Sequence, residues 1–224
     1  MNWQDEGFLL SKNKFRENGS IIRVFTNNYG KMSGIVYGGN SRKIRNYLQL
    51  VNKIFVFYKS KGDNRIGYFK TELVEPISPK YFNDKKRTTA LLSLTSILNV
   101  LLPESQPNKK IFNSVNELLK NFSNQDWILL YIYWELSLIK ELGYDTNLEN
   151  FIDRKEINSM VTVEIDKIVY QVPFFLINKN LKDINTNLIR KALNFTRSVM
   201  LNKFFIPNSL IYPKARVLLE NYFN

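Results

Sequence analysis

The first third of the chain repeats on a short period. Runs rich in β-branched and aromatic residues recur about every ten positions, at Gly7–Leu10, Ile21–Thr26, Met32–Tyr37, Lys53–Tyr58 and Ile66–Leu73. Between them stand Glu17-Asn18-Gly19, Asn27-Asn28-Tyr29-Gly30, Gly38-Gly39-Asn40 and Lys61-Gly62-Asp63-Asn64. These residue types tolerate positive φ or bond to their own backbone, so each cluster predicts a turn. Five short strands in so short a span fit a small closed barrel, either an OB-fold or an SH3-like barrel. The longest connection, Gly38 to Gln49, falls between the third and fourth runs. An OB-fold carries its helix there, and we assign a five-stranded OB-fold barrel.

Glu75-Pro76-Ile77-Ser78-Pro79 interrupts the pattern, because two prolines three apart stop strands and helices alike. Beyond it the period is helical. Phe82 to Leu102 places Leu91, Leu94, Ile97, Leu98 and Leu101 on a repeating face and ends at Pro103, and Phe112 to Phe122 repeats the spacing. Trp127 to Leu142 is apolar nearly all round, which predicts a central buried helix with Asp126 as its N-cap and Gly143 at its C′ position. Leu188 to Phe205 and Pro213 to Tyr222 predict two more helices. Between them Val161, Val163 and Ile165, then Ile168, Tyr170 and Val172, alternate around Asp166-Lys167, the pattern of a β-hairpin. The expectation is an α+β chain: an OB-fold barrel over residues 1–78, then a helical domain over residues 79–224 with a hairpin insert at about 157–176.

Charge sharpens this division. The 224 residues carry a formal net charge of +12. Residues 1–80 hold 14 Lys and Arg against 6 Asp and Glu, so most of the excess lies in the barrel segment. A surplus placed this way points to a polyanion, nucleic acid first, since clustered cations release condensed counterions on binding. The chain has no cysteine and no histidine. That removes disulfides, thiol nucleophiles, zinc sites built on Cys or His, and imidazole acid–base catalysis. Glu135, Glu141, Asp145, Glu149, Asp153 and Glu156 are not spaced to converge on a catalytic metal, and Glu135, in an apolar helix, suggests a buried structural role. Carboxylates, Lys, Tyr and Ser remain as catalytic groups, so an enzyme is not excluded although most of the usual toolkit is missing; we expect no metal and no cofactor. The amino terminus carries no basic or apolar leader pattern, and the apolar run ending at Trp134 is far shorter than the roughly 18–20 residues a bilayer needs. The expectation is a cytoplasmic protein without membrane contact.

The most suggestive stretch is Gly38-Gly39-Asn40-Ser41-Arg42-Lys43-Ile44-Arg45-Asn46-Tyr47, where a flexible glycine pair precedes three cations able to follow a phosphate backbone. No phosphate-binding loop of the nucleotide hydrolases is present. Lys14, Arg16, Arg23, Lys31 and Lys53 extend the candidate DNA-binding set with Arg42, Lys43 and Arg45, and Lys12, Lys59 and Lys61 lie nearby. Tyr37 and Tyr47, with Tyr29, are placed at turns or strand ends where a ring can stack on a base, whereas Phe25 and Phe55 are expected in the core.

Several segments together resemble the RecO family, above all its alphaproteobacterial members. They are Trp3-Gln4-Asp5-Glu6-Gly7-Phe8-Leu9-Leu10, Phe25-Thr26-Asn27-Asn28-Tyr29-Gly30-Lys31, Gly38-Gly39-Asn40-Ser41-Arg42-Lys43, Leu101-Leu102-Pro103-Glu104, and Tyr133-Trp134-Glu135-Leu136-Ser137-Leu138-Ile139-Lys140-Glu141-Leu142-Gly143-Tyr144. The resemblance implies a non-enzymatic mediator of DNA repair and homologous recombination. Such a protein binds single- and double-stranded DNA, anneals complementary strands and assists RecA loading onto DNA coated by single-strand-binding protein (SSB). It further implies RecR and the acidic C-terminal tail of SSB as partners. Lys109, Lys110, Arg190, Lys191 and Arg197 are the cations that a tail-binding site in the helical domain could draw on. Many members carry cysteines in the helical domain, some of them binding zinc, the first of which would fall near Phe151; here apolar packing must hold this region instead. The rival readings are an RNA-binding OB-fold protein, a metal-dependent nuclease and a scaffold whose charge is incidental.

Overall fold

The computed structural model describes residues 2–39, 41–62 and 66–223. Asn40 of the basic stretch and Asp63-Asn64 of the turn after the fourth strand lie outside the described residues. The chain forms two compact units, residues 1–113 with 213–216, and residues 114–212 with 217–224.

In the first unit, β1 (Asn2–Phe15), β2 (Gly19–Thr26), β3 (Gly30–Tyr37), β4 (Lys53–Lys59) and β5 (Gly67–Glu75) close into a barrel of order β1-β2-β3-β5-β4. This is the five-stranded OB-fold arrangement that the spacing predicts. Strand β1 is much longer than its apolar centre, Gly7–Leu10. Its first half pairs antiparallel with β4 and its second half with β2, and the register slips between Leu9 and Ser11. That bulge bends one strand around the barrel so that it serves two neighbours. The polar flanks that hide the strand in the sequence are satisfied locally. Asp5 points inward, where its carboxylate accepts from the Asn28 backbone N–H at 2.7 Å and the Asn28 side-chain amide at 3.1 Å.

The barrel core is Leu9, Ile22, Val24, Val36, Leu48, Ile54, Val56 and Phe69. Trp3 stacks against both Tyr29, at 4.1 Å, and Tyr58, at 4.9 Å. The Tyr29 ring is thereby committed to the fold instead of to a ligand. A short helix α1 (Arg42–Tyr47) follows β3, capped by Ser41, and has no buried residue. The fully buried Asn52 donates to the Tyr47 carbonyl and accepts from the N–H groups of Ile77 and Ser78, tying the end of α1 to the Pro-rich boundary.

After a 3-10 turn at Ser78–Tyr81, α2 (Lys85–Leu101) starts at Asp84, whose carboxylate accepts from the Arg87 N–H at 3.0 Å. It packs on the outer face of the barrel with the start of α3 (Lys109–Lys120), where Phe112 meets Phe8 at 5.2 Å and Phe25 at 5.6 Å. Phe25 is therefore buried outside the barrel, not within it.

In the second unit, α4 (Trp127–Glu141) buries nine residues, Glu135 among them. Glu135 is fully buried and accepts from the Thr196 hydroxyl at 2.6 Å, the structural role its setting suggested. Gly143, at φ +95°, ends α4: its N–H bonds to Lys140 O while that of Tyr144 bonds to Ile139 O. Asp126 does stand at the N-cap position, but its side chain makes no capping bond; its backbone carbonyl receives Leu129 and Leu130. Strands β6 (Met160–Ile165) and β7 (Ile168–Pro173) form the hairpin, with Asp166 and Lys167 both at positive φ, as a two-residue hairpin turn requires. The short α5 (Phe175–Asn178), α6 (Thr186–Met200), a π turn at Leu201–Phe205 and α7 (Lys214–Asn221) complete the chain.

The hairpin is held by packing and by a polar clasp. Tyr170 meets Phe195 edge to face at 5.7 Å and accepts from the Asn202 amide at 3.1 Å. Lys203, on the π turn, donates to Asp166 and to the Tyr144 hydroxyl, each at 2.8 Å. Burial pulls the Lys203 pKa down, but the bonds from Asp166 and Tyr144 outweigh it and hold the ammonium above the usual lysine range. The same bonds, that of Lys203 first, hold the Asp166 carboxyl below its usual range. A raised lysine stabilises the fold below its unfolded pKa, near 10.5, and that contribution fades as pH rises through the folded value. A depressed aspartate stabilises above its unfolded pKa, near 3.8, and that contribution fades as pH falls through the folded value. The clasp is thus expected to be intact across the neutral range and to loosen at both extremes. In Lys203→Met the hairpin amides should exchange with solvent about tenfold faster at neutral pH. Equal exchange in the two proteins would assign the hairpin's order to apolar packing alone.

Candidate nucleic-acid interface

Strand β5 decides where the exposed chemistry collects. Phe69 and Thr71 point inward, so Tyr68, Lys70 and Glu72 face out. The register sets Tyr68 beside Lys59, Lys70 beside Phe57 and Glu72 beside Phe55, and β1 continues these rows with Asn2, Gln4 and Glu6. Phe55, expected in the core, is half-buried on this outer face and meets Phe57 edge to face at 5.0 Å. The Lys70 ammonium lies 5.8 Å from the centre of the Phe57 ring. A shallow cleft of about 660 Å³ runs along this face, between Gln4, Phe57, Lys59, Tyr68 and Lys70.

At the end of β3, Tyr37 is 61% exposed and stacks on Tyr68 with ring centres 5.1 Å apart. Lys61, in the β4–β5 turn, sits 5.2 Å from the Tyr68 ring centre. Its ammonium, then the Tyr37 hydroxyl, hold the Tyr68 phenol below the usual tyrosine range, while the bond to Tyr68 raises that of Tyr37. Arg16, in the β1–β2 turn at φ +53°, is close enough for its charge to act on both tyrosines. Turns β1–β2 and β4–β5 are those with which OB-folds contact oligonucleotides. Here they bring two cations to one aromatic pair.

Helix α1 adjoins this pair. Arg42, Lys43 and Arg45 are exposed on it, and Lys43 lines a second cleft together with Tyr37. Lys14 is exposed near the end of β1. Two residues earlier, Lys12 donates to the Gly39 carbonyl at 3.1 Å; burial, then repulsion from Arg45, holds its ammonium below the usual lysine range.

The remaining candidates lie apart. Lys31 is buried, donates to the Asn99 carbonyl at 2.8 Å and lies 3.9 Å from Glu104. Burial holds its pKa below the usual lysine range although Glu104 opposes the shift. Arg23 reaches Asn99 at 3.4 Å and Glu104 at 3.8 Å. Both project from the outer side of β2–β3 onto the end of α2 and the turn after it, so they bind protein groups there. Lys53 pairs with Glu6 at 2.8 Å. Tyr47 donates to the Thr71 carbonyl at 2.8 Å and closes a wall of the second cleft, so its ring is not an open stacking platform. The structure therefore gathers Arg16, Tyr37, Arg42, Lys43 and Arg45, with Lys14 nearby, and assigns Arg23, Lys31 and Lys53 to contacts within the fold. Tyr68 and Lys70 join the surface although sequence reasoning placed them only in a strand. Their one signal was the i, i+2 spacing that puts both on the same side of β5.

Among the described residues no helix is long and apolar enough to cross a membrane, and no cluster of three or more acidic, His or Cys side chains is arranged to hold a metal.

The family model described as Recombination protein O N terminal matches residues 1–77, and Recombination protein O C terminal matches residues 83–168. The chain is 30% identical over 174 residues to the DNA repair protein RecO of Roseobacter denitrificans, covering 77% of this chain and 69% of that protein. It is 33% identical over 150 residues to the protein of the same name from Cereibacter sphaeroides and 30% identical over 151 residues to that of a Wolbachia strain, in each case covering 66% of this chain and 62% of the relative. The chain thus spans roughly two thirds of the length of the relatives it matches. One family model takes in the barrel through the end of β5 and the other starts just before α2 and runs through β6, and on that match the chain belongs to the RecO family.

Proposed function

We propose that this chain works in DNA repair and homologous recombination as a mediator rather than a catalyst. It binds single- and double-stranded DNA on the barrel, anneals complementary strands and, with RecR, assists RecA loading onto DNA coated by SSB, whose C-terminal tail it recognises. The observation that carries this reading is the stacked Tyr37–Tyr68 pair with Arg16 and Lys61 beside it and the exposed cations of α1 next to it. Membership of the RecO family and the name DNA repair protein RecO carried by the relatives support the same role. The proposed site of action is the cytoplasm, at the nucleoid.

The physical mechanism is charge neutralisation combined with stacking. Cations at the phosphates lower the repulsion between two strands brought together, at a gain set by counterion release. Rings that stack on bases hold a single strand with little regard to sequence, contributing about 1–3 kcal/mol per base. Tyr37→Ala should therefore weaken binding to a single strand about tenfold and binding to a duplex much less, because paired bases do not offer their faces. Fluorescence anisotropy with both substrates checks this; equal losses would remove stacking from the account.

The test of the whole reading is annealing of complementary oligonucleotides coated with the cognate SSB, with and without this protein. Acceleration is the expected result. Annealing of naked strands alone would keep DNA binding and remove the mediator role. Failure with both, together with a preference for matched RNA over DNA, would replace DNA by RNA as the partner.

A further inference from the structure

The closed barrel has a weak seam. Among the described residues, strands β3 and β5 pair at two positions, Gly34 with Gly67 and Ile35 with Tyr68. Beyond Tyr68, β5 runs on to Glu75 paired with β4 alone. The Thr71 carbonyl accepts from the Tyr47 hydroxyl, so α1 is tied to this part of β5. Between this edge and α1 lies a cleft of about 590 Å³, within the size range of pockets that take a small organic ligand. Its floor is apolar, from Val36, Ile44 and Phe69, and Tyr37 and Tyr47 stand as walls. Among the described residues that line it, Lys43 and Lys70 are the cations and Glu72 the acid.

We infer that this cleft receives one unstacked nucleobase of a single DNA strand, and so makes the barrel prefer single strands to duplex. The inference rests on the DNA-binding reading above and adds to it a pocket for a base. A base is a flat ring with an apolar face and polar edges, which suits an apolar floor walled by Tyr37 and Tyr47 and rimmed by the polar heads of Lys43, Lys70 and Glu72. Its phosphates would stay outside, where Lys43 and Lys70 flank the cleft and Arg42 and Arg45 continue along α1. A duplex cannot use the cleft without extruding a base, at a cost in unpairing and unstacking. The cleft lies on the α1 side of Lys70, whereas the Gln4–Phe57–Lys59 face lies on its other side and stays open to either form of DNA.

The experiment compares an ordinary single strand with a strand of equal length whose central nucleotides are abasic. It uses the wild-type protein and two cleft-filling variants, Ile44→Phe and Leu73→Phe. Leu73 is exposed and Ile44 partly so; Ile44 also packs against the barrel core, so a melting curve accompanies that variant. The wild type should bind the ordinary strand about tenfold more tightly than the abasic one. Each variant should erase that gap while keeping its affinity for the abasic strand and for duplex. A gap that survives in both folded variants, with DNA still bound, overturns the cleft as the base site and leaves DNA binding standing. A wild type that binds DNA but ignores abasic positions overturns the inference in the same way and leaves the cleft to another occupant, such as an extended peptide. A wild type that binds no DNA overturns both readings. Should either variant fail to fold, 2-aminopurine placed at successive positions of a strand bound to the wild type decides instead. One position with fluorescence unlike its neighbours is expected, and a uniform response along the strand is the contrary result.

Discussion

Replacing Arg42, Lys43 and Arg45 together by Glu should lower DNA affinity by about a hundredfold or more at moderate salt and flatten its salt dependence. Each phosphate that is no longer neutralised takes about 0.9 off the slope of log K against log salt for a duplex and about 0.7 for a single strand. Three such phosphates predict a slope smaller by roughly two to three, and the reversed charges add repulsion to that effect. The fold should tolerate the change. All three side chains are exposed, and α1 has no buried residue. Arg45 lies close enough to Lys12 to help lower its pKa, so a Glu there relieves repulsion instead of creating it. Titration by anisotropy at several salt concentrations, beside a melting curve, gives both numbers. An unchanged slope in a folded variant would mean that α1 does not touch phosphate. Lys31→Met supplies the contrast. Lys31 serves Asn99 and Glu104, so its removal should cost stability and leave the salt slope as it was.

Gly34→Val should be the most damaging single change to the barrel. A Cβ at Gly34 would fall 2.3 to 2.9 Å from three carbons of the Phe69 ring, closer than carbon atoms approach one another in folded proteins. Its partner Gly67 is under the same constraint, with the Tyr58 ring 2.4 Å from the position of its Cβ. The short β3–β5 seam exists because two aromatic rings lie across bare backbone at these two points. Adding volume there forces Phe69 out of a well-packed core or parts the strands, and overpacking of this kind costs typically about 1–3 kcal/mol, occasionally more. The branched Val belongs at the upper end, about 3 kcal/mol, or a fall of more than about 10 °C in the melting temperature of a unit this size. Scanning calorimetry and near-ultraviolet circular dichroism would register it. A melting temperature within a degree or two of the parent would show that the Phe69 ring can move aside without penalty.

The strands β2 to β5 were legible because each combines apolar alternation with a neighbouring turn cluster, and in three of those turns Gly30, Gly38 and Gly62 do take positive φ; both signals are local. Gly30, at φ +70°, stands where a Cβ would meet the Gln106 carbonyl at 2.1 Å, so the turn and the packing ask for the same residue. Strand β1 was legible only at its centre, since the polar residues on either side pair with two different strands and Asp5 is satisfied by a turn more than twenty residues away. The helices from Lys85 onward and the hairpin around Asp166-Lys167 followed from period and turn chemistry.

The candidate surface divides along the same line. Residue types and their near neighbours were enough to specify a barrel with an excess of positive charge, a helical remainder, the absence of cysteine and histidine chemistry, and a basic segment at α1. Which cations face solvent depended on how the elements pack. Arg23 and Lys31 are as basic as Arg42 and Lys43, but on the outer side of β2–β3 they meet Asn99 at the end of α2 and Glu104 after it, and Lys31, being buried, must find a protein partner there or remain unpaired at high cost. The union of Tyr37 with Tyr68, and the cleft beside α1, come from strands more than thirty residues apart in sequence joined at a two-residue seam. Spacing along a chain carries no record of such a contact, because closure of the barrel alone sets which outward-facing side chains become neighbours.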